Sequence, residues 1–109
     1  MSFRHHLRRP RAVTAEEAVR LVADGALVVD VRRAFEWNRV HIPGAVHLPL
    51  AELAARCEEL PDDRTLVTFC TGGLRSAGAA NLLTEFGFTA VNMTGGLIAW
   101  RAAGGPLIP

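Results

Sequence analysis

The chain has 109 residues, half of them hydrophobic, and a formal net charge of +1. That length suits one domain with one core, that apolar content excludes a disordered tail, and that charge gives no bulk case for binding nucleic acid or a membrane. All twelve basic residues are arginine, with no lysine, and they do not gather along one predicted face.

No apolar run approaches the ~20 residues that span a bilayer. The basic stretch from Met1 to Arg11 leads into no apolar core, so neither a secretory signal nor a twin-arginine signal is expected. The sequence therefore reads as one cytoplasmic domain over 1–109, with residues 1–10 a loosely packed arm. Two cysteines are too few for a disulfide scaffold. Four scattered histidines and two cysteines offer no metal cluster, and no cofactor is expected.

Arg11-Ala12-Val13 reads as a short strand. Thr14 then has the form of a helix N-cap, with Glu17 three residues on to close a capping box. Ala15, Ala18, Val19 and Val22 recur at helical spacing and face the core, and Asp24-Gly25 ends that helix. The run Ala26 to Val31 is continuous and rich in β-branched residues, the pattern of a strand covered on both faces. Asp30 stands at its C-terminal end, the edge where open α/β sheets bind ligands. A buried ion pair with Arg32 that orients a nearby loop is one reading of Asp30; a direct chemical role is the other.

Arg33 to Val40 predicts a short helical turn, broken at His41-Ile42-Pro43-Gly44-Ala45, and Ala45 to Leu48 a short strand. His41 and His47 are each candidates for a general base. Neither has a partner at a defining spacing, and a hydrogen-bonded structural histidine is the better reading. Leu50, Leu53, Ala54, Cys57 and Leu60 mark one apolar stripe on a helix from about Leu50 to Glu59, stopped by Pro61. Cys57 on that stripe reads as a small buried apolar residue, with a resolving thiol as the alternative.

Thr65 to Phe69 reads as a buried strand leading into Cys70-Thr71-Gly72-Gly73-Leu74-Arg75-Ser76. Ala77 to Phe86 follows as a helix with Ala79, Ala80, Leu82, Leu83 and Phe86 on its apolar face. Thr89 to Met93 is a further strand, Gly95-Gly96 a turn, and Leu97 to Ala103 a last helix with Trp100 turned inward. Strands alternating with helix-length connections call for a parallel sheet with helices on both faces. Right-handed crossovers then bring Cys70 and Asp30 to the same edge.

The loop that begins at Cys70 carries the chemistry. Unpaired N–H groups at a helix start attract anions and can hold a thiolate, which is the reactive form of cysteine. Arg75 adds a permanent charge. Gly72 and Gly73 let the backbone curl around the sulfur. Ser76 can donate its hydroxyl or cap the helix. A cysteine that is merely packed before a turn is the alternative. The loop has neither the Walker pattern nor the dinucleotide fingerprint.

Three motifs in order resemble the rhodanese-like (sulfurtransferase) domain family in its single-domain form. They are Val28-Val29-Asp30-Val31-Arg32; Glu36 with His41-Ile42-Pro43-Gly44-Ala45; and Cys70, Gly73, Arg75 and Ser76, followed by Gly95-Gly96 and Trp100. The resemblance runs from about Thr14 to Gly104. It implies a three-layer α/β fold, with a central, mainly parallel sheet of about five strands between helices. It also implies sulfur transfer through a Cys70 persulfide, from a small anionic donor such as thiosulfate to a thiol or cyanide. A sulfur-accepting protein is a further candidate partner; nucleic acid and membrane are not. Thr71, Gly72, Gly73, Leu74, Arg75 and Ser76 would bind the donor and the persulfide, with Asp30 and Arg32 supporting the loop. A non-catalytic persulfide carrier or protein-binding module on the same fold is the second reading. A small phosphatase or arsenate reductase is the third, and it is disfavoured. Phosphatases of similar fold carry a longer loop, whereas four residues separate Cys70 from Arg75 here.

Overall fold

Five short strands form one sheet in the order β1-β5-β4-β2-β3, with every pairing parallel. They are β1 (Arg11–Val13), β2 (Leu27–Asp30), β3 (Val46–His47), β4 (Leu66–Phe69) and β5 (Ala90–Met93). The helices between them are α1 (Ala15–Ala23), α2 (Ala34–Arg39), α3 (Leu50–Arg56), α4 (Leu74–Glu85) and α5 (Gly96–Ala102), with a 3-10 turn at Cys57–Glu59. This computed structural model describes residues 10–71 and 74–109, with Leu74 described in its backbone alone. The expected arm, apart from Pro10, lies outside the described residues, as do Gly72, Gly73 and the side chain of Leu74.

The strands are short, apolar and buried because both faces of the sheet are covered. Every residue of β2, β4 and β5 is buried. Alternate side chains divide between two clusters, as the two-residue period of a strand requires. Leu27 and Val29 of β2 join Leu66 of β4, Leu53 of α3 and Ala79, Ala80 and Leu83 of α4. Val28 of β2 joins Val67 and Phe69 of β4, Ala15 and Ala18 of α1 and Trp100 of α5. The helices thus cover the sheet as an α/β sandwich of three layers.

Local signals account for most boundaries. Thr14 caps α1 by accepting the Glu17 N–H at 3.1 Å, as its spacing predicts. The predicted helix Leu50 to Glu59 is α-helical only to Arg56 and then tightens into the 3-10 turn before Pro61. Ala54 is exposed and so leaves the expected stripe, and Cys57 is half-buried against the first cluster. Phe86, expected on the apolar face of the following helix, lies past the end of α4 and is exposed.

The largest correction concerns the start of α4. It begins at Leu74 rather than Ala77, so Arg75 and Ser76 stand on the first turn of the helix and not in the loop before it. The first-turn N–H groups of a helix have no intrahelical acceptor. That is why the chain can enter the helix early and still offer the Ser76 N–H to the cysteine.

From the adjacent strands β2 and β4 the chain leaves in opposite directions, toward β3 on one side and β5 on the other. Such a reversal opens a crevice at the C-terminal ends of the two strands. Asp30 is paired in register with Phe69, the residue before Cys70. The two strand ends that sequence motifs single out therefore flank one crevice.

Candidate active site

Cys70 follows the last residue of β4 and is buried, with 1% of its surface exposed. Its sulfur receives the backbone N–H of Ser76 at 3.2 Å and lies 3.4 Å from the Ser76 hydroxyl oxygen. Ser76 is held in place from below: the buried hydroxyl of Thr68 on β4 donates to the Ser76 carbonyl at 2.9 Å. Strand, sulfur and first helical turn are thereby fastened together. On the other flank, Gly96 approaches the backbone of Cys70 and Thr71. A Cβ at Gly96, where φ is +62°, would lie 3.4 Å from the Cys70 carbonyl oxygen and 3.6 Å from that of Thr71.

Arg75 and Thr71 both turn to α2. The Thr71 hydroxyl donates to Glu36 at 2.8 Å, and the Arg75 guanidinium stands 3.5 Å from the same carboxylate. Glu36 also accepts the backbone N–H of Arg33 at 3.1 Å, which closes the first turn of α2. Burial works against ionisation of Glu36. The Thr71 hydroxyl, the Arg33 N–H and the charges of Arg75 and Arg32 outweigh it and hold the carboxyl below its ordinary value of 4.5.

Asp30 and Arg32 form a buried ion pair, with no more than 5% of either side chain exposed. The Arg32 Nε donates to both carboxylate oxygens at 3.0 and 3.1 Å, its Nη2 donates to one at 2.8 Å, and its backbone N–H adds a fourth bond at 3.0 Å. A further Nη2 bond of 2.7 Å reaches the Val40 carbonyl at the end of α2. The guanidinium carbon also lies over the Phe69 ring at 5.3 Å. The pair thus ties β2 to α2, and α2 carries Glu36 to the loop. Of the two readings open for Asp30, the buried pair with Arg32 is the geometry observed.

The family model described as Rhodanese-like domain matches residues 14–103. The chain belongs to the rhodanese-like domain family. Among solved structures it resembles a rhodanese-related protein from Thermoplasma volcanium, with a TM-score of 0.82 at 28% identity, covering 90% of this chain and 97% of that one. A sulfurtransferase of Allochromatium vinosum is 37% identical over 86 residues, covering 78% of this chain and 80% of that protein. The "HTH-type transcriptional regulator Rv0324" of Mycobacterium tuberculosis is 36% identical over 99 residues, but this chain spans only 44% of its length. The rhodanese-like domain thus occurs both nearly alone and as part of a longer protein.

Within this rhodanese-like domain the remaining candidates take structural positions. His41 donates from Nδ1 to the Trp37 carbonyl at 2.9 Å, and His47 from Nε2 to the Arg32 carbonyl at 2.8 Å; a carbonyl can only accept, so each bond assigns that nitrogen its proton. Both rings stack on Trp37 at 10° to its plane, with centroids 3.7 and 4.9 Å away. The Cys57 sulfur lies 3.6 Å from the Ala54 carbonyl. Among the described residues there is no group of three side chains suited to hold a metal, and no helix is long and apolar enough to cross a membrane.

The residue that sequence reasoning undervalued is Glu36. In the sequence it stands only as one member of a motif, yet it is the group that faces Arg75 and Thr71. A carboxylate at the third position of one helix opposite an arginine in the first turn of another is a usable signal, but only once the two elements are known to meet.

Proposed function

We propose that this domain moves a sulfane sulfur from a small anionic donor such as thiosulfate to a thiol or cyanide, through a persulfide on Cys70. The supporting observation is the Ser76 N–H aimed at the Cys70 sulfur at 3.2 Å. A backbone donor fixed by a strand and a helix start favours the charged sulfur at no reorganisation cost. Relatives named sulfurtransferases support the same reading.

In the first half-reaction the Cys70 thiolate attacks the outer sulfur of thiosulfate. The S–S bond of the donor breaks, its electron pair leaves with sulfite, and a Cys70 persulfide anion forms. In the second, cyanide or a thiolate attacks the outer sulfur, and the Cys70 thiolate departs. Thr71, Gly72, Gly73, Leu74, Arg75 and Ser76 are assigned to cradle the donor and the persulfide. Asp30 and Arg32 act through α2 as positioning residues.

Thiocyanate formation from thiosulfate and cyanide, lost in Cys70→Ser, is the expected result. Intact mass after thiosulfate alone should show one added sulfur atom on the native chain and none on the variant. A persulfide without turnover would replace the enzyme reading by a carrier. Hydrolysis of an aryl phosphate with no sulfur uptake would replace both by a phosphatase.

A further inference from the structure

Two polar side chains are buried behind the loop, in a sheet that otherwise packs apolar ones. Thr68 lies on β4, the middle strand, and has no exposed surface; its register partner on β5 is Asn92, 8% exposed. Strands covered on both faces favour apolar residues, because a buried polar side chain costs free energy unless its hydrogen bonds are made. A valine at one position and a leucine at the other would fill the same space without that cost. Three oxygens surround the Thr68 hydroxyl: the Ser76 carbonyl at 2.9 Å, the Asn92 amide oxygen at 3.3 Å and the Val91 carbonyl at 3.4 Å.

A hydroxyl has one proton to give and lone pairs with which to receive. It can serve one of these acceptors, and the Ser76 carbonyl is the nearest. An amide oxygen facing the hydroxyl would compete for that proton. With its NH₂ end turned to Thr68 instead, the Asn92 amide donates to the hydroxyl oxygen and leaves the hydroxyl proton to Ser76. The order is then Asn92 to Thr68 to the Ser76 carbonyl, each group polarising the next. Ser76 carries the line to the site, since its own N–H meets the Cys70 sulfur at 3.2 Å. By this route β5, which contributes no residue to the loop, helps to set the distance between that N–H and the sulfur.

We propose that Thr68 and Asn92 are positioning residues of the transfer reaction, which hold the Ser76 N–H on the inner sulfur of Cys70 and so favour discharge of the persulfide. The proposal rests on the sulfur-transfer reading of Cys70. The place of the charge decides which half-reaction benefits. In the persulfide anion the charge sits on the outer sulfur, whereas the Ser76 N–H meets Sγ itself. Charge returns to Sγ when cyanide or a thiolate attacks the outer sulfur, the S–S bond breaks and its electron pair goes to Cys70. A hydrogen bond at Sγ therefore makes Cys70 the better leaving group. In loading, the same bond acts in two directions: it raises the share of thiolate and lowers the nucleophilicity of each thiolate. General damage to the fold would slow both half-reactions, whereas loss of the hydroxyl separates them.

Thr68→Val keeps the branched shape of the side chain and removes its hydroxyl, while Thr68→Ser keeps the hydroxyl. In a Cys57→Ser background Cys70 is the only thiol, and the chain has no tyrosine, so the ultraviolet absorbance of the thiolate can be titrated with pH. Its midpoint should rise by about one pH unit in Thr68→Val, roughly half the strength of a hydrogen bond to a charged group, and stay at the parent value in Thr68→Ser. Asn92→Leu, which leaves the hydroxyl without its orienting donor, should shift the midpoint the same way by less. In single turnovers above every midpoint, discharge of the persulfide to cyanide should slow about threefold in Thr68→Val, with loading from thiosulfate unchanged or faster. An unshifted midpoint in Thr68→Val, an equal shift in Thr68→Ser, or equal slowing of both half-reactions overturns the positioning role. An unshifted midpoint in Asn92→Leu overturns the part given to Asn92. The titration needs no sulfur donor, so the expected shifts with no persulfide on Cys70 from any donor overturn sulfur transfer and leave the network's hold on the thiolate standing.

Discussion

Arg75 and Glu36 act on the loop as a pair. Taken alone, an arginine five positions after the cysteine is a cation waiting for an anionic donor; with a carboxylate 3.5 Å away, its field is shared. Arg75→Ala should raise KM for thiosulfate several-fold, while the urea midpoint shifts by no more than a partly exposed ion pair is worth, about 0–1 kcal/mol. Stability lost in excess of activity would count against a role in binding. Glu36→Gln works in the opposite sense, because removing the negative charge beside Arg75 should lower KM for a dianionic donor. The sign of the acid response follows from the depressed carboxyl of Glu36. Its contribution to stability is complete above the ordinary glutamate value of 4.5 and is lost as pH falls through the lower folded value. Urea midpoints measured across that interval should drop more steeply in the native chain than in Glu36→Gln. Parallel curves would show that the carboxylate is not held by the loop.

At the scale of elements, α2 links the strand end that carries Asp30 to the loop that begins at Cys70. It is anchored at its last turn by Arg32 on the Val40 carbonyl and engages the loop through Glu36 in its first. A six-residue helix with no buried residue has little hydrophobic reason to stay put, so polar contacts position it. Asp30→Asn would leave the Arg32 guanidinium buried without its counter-charge, at a cost of about 3–5 kcal/mol. The double change Asp30→Leu with Arg32→Met should cost less than the single one, because no uncompensated charge remains. Thermal unfolding of the three chains decides this, and equal losses would show that the pair is not the anchor. Transfer activity should fall in both variants: the double change removes the Arg32 bond to the Val40 carbonyl, and Asp30→Asn removes the carboxylate charge that aims the guanidinium there.

At the scale of the whole molecule, the two sides of the sheet meet different demands. The cluster that contains Cys70 carries the site, while the opposite cluster closes around Trp100. The C-terminal segment completes that second cluster. The Trp100 indole donates to the Pro106 carbonyl at 2.8 Å, and Ile108 exchanges backbone hydrogen bonds of 2.8 and 2.9 Å with His41. Gly105 lies flat on the indole, where a Cβ would fall 2.2 Å from the ring. Gly105→Ala should therefore destabilise the fold by about 1–3 kcal/mol through overpacking, with a change in Trp100 fluorescence. Because the clash is remote from Cys70, KM should hold while the melting temperature falls; a wild-type melting temperature would refute the packing role.

Much of this architecture was legible along the chain, because periodicity and caps are local. Continuous apolar runs gave away β2 and β4, Thr14 and Glu17 gave the start of α1, and Gly25 its end. The Cys70-to-Arg75 interval likewise lies within one short stretch, and the family resemblance rested on such stretches in order. Local signals put the start of α4 three residues late, at Ala77 instead of Leu74. Glycines at Gly72 and Gly73 signal a break, and nothing local says how soon the helix resumes. By itself the sequence determined the alternation of strands and helices, the strand end that carries Asp30 and the loop that carries Cys70. Only the tertiary structure decided that Glu36 faces Arg75 across 39 positions and Thr71 across 35, and that Asp30 and Phe69 end neighbouring strands in register. Those pairings depend on which strands become neighbours and in what register. A side chain's spacing along its own element carries no record of that choice.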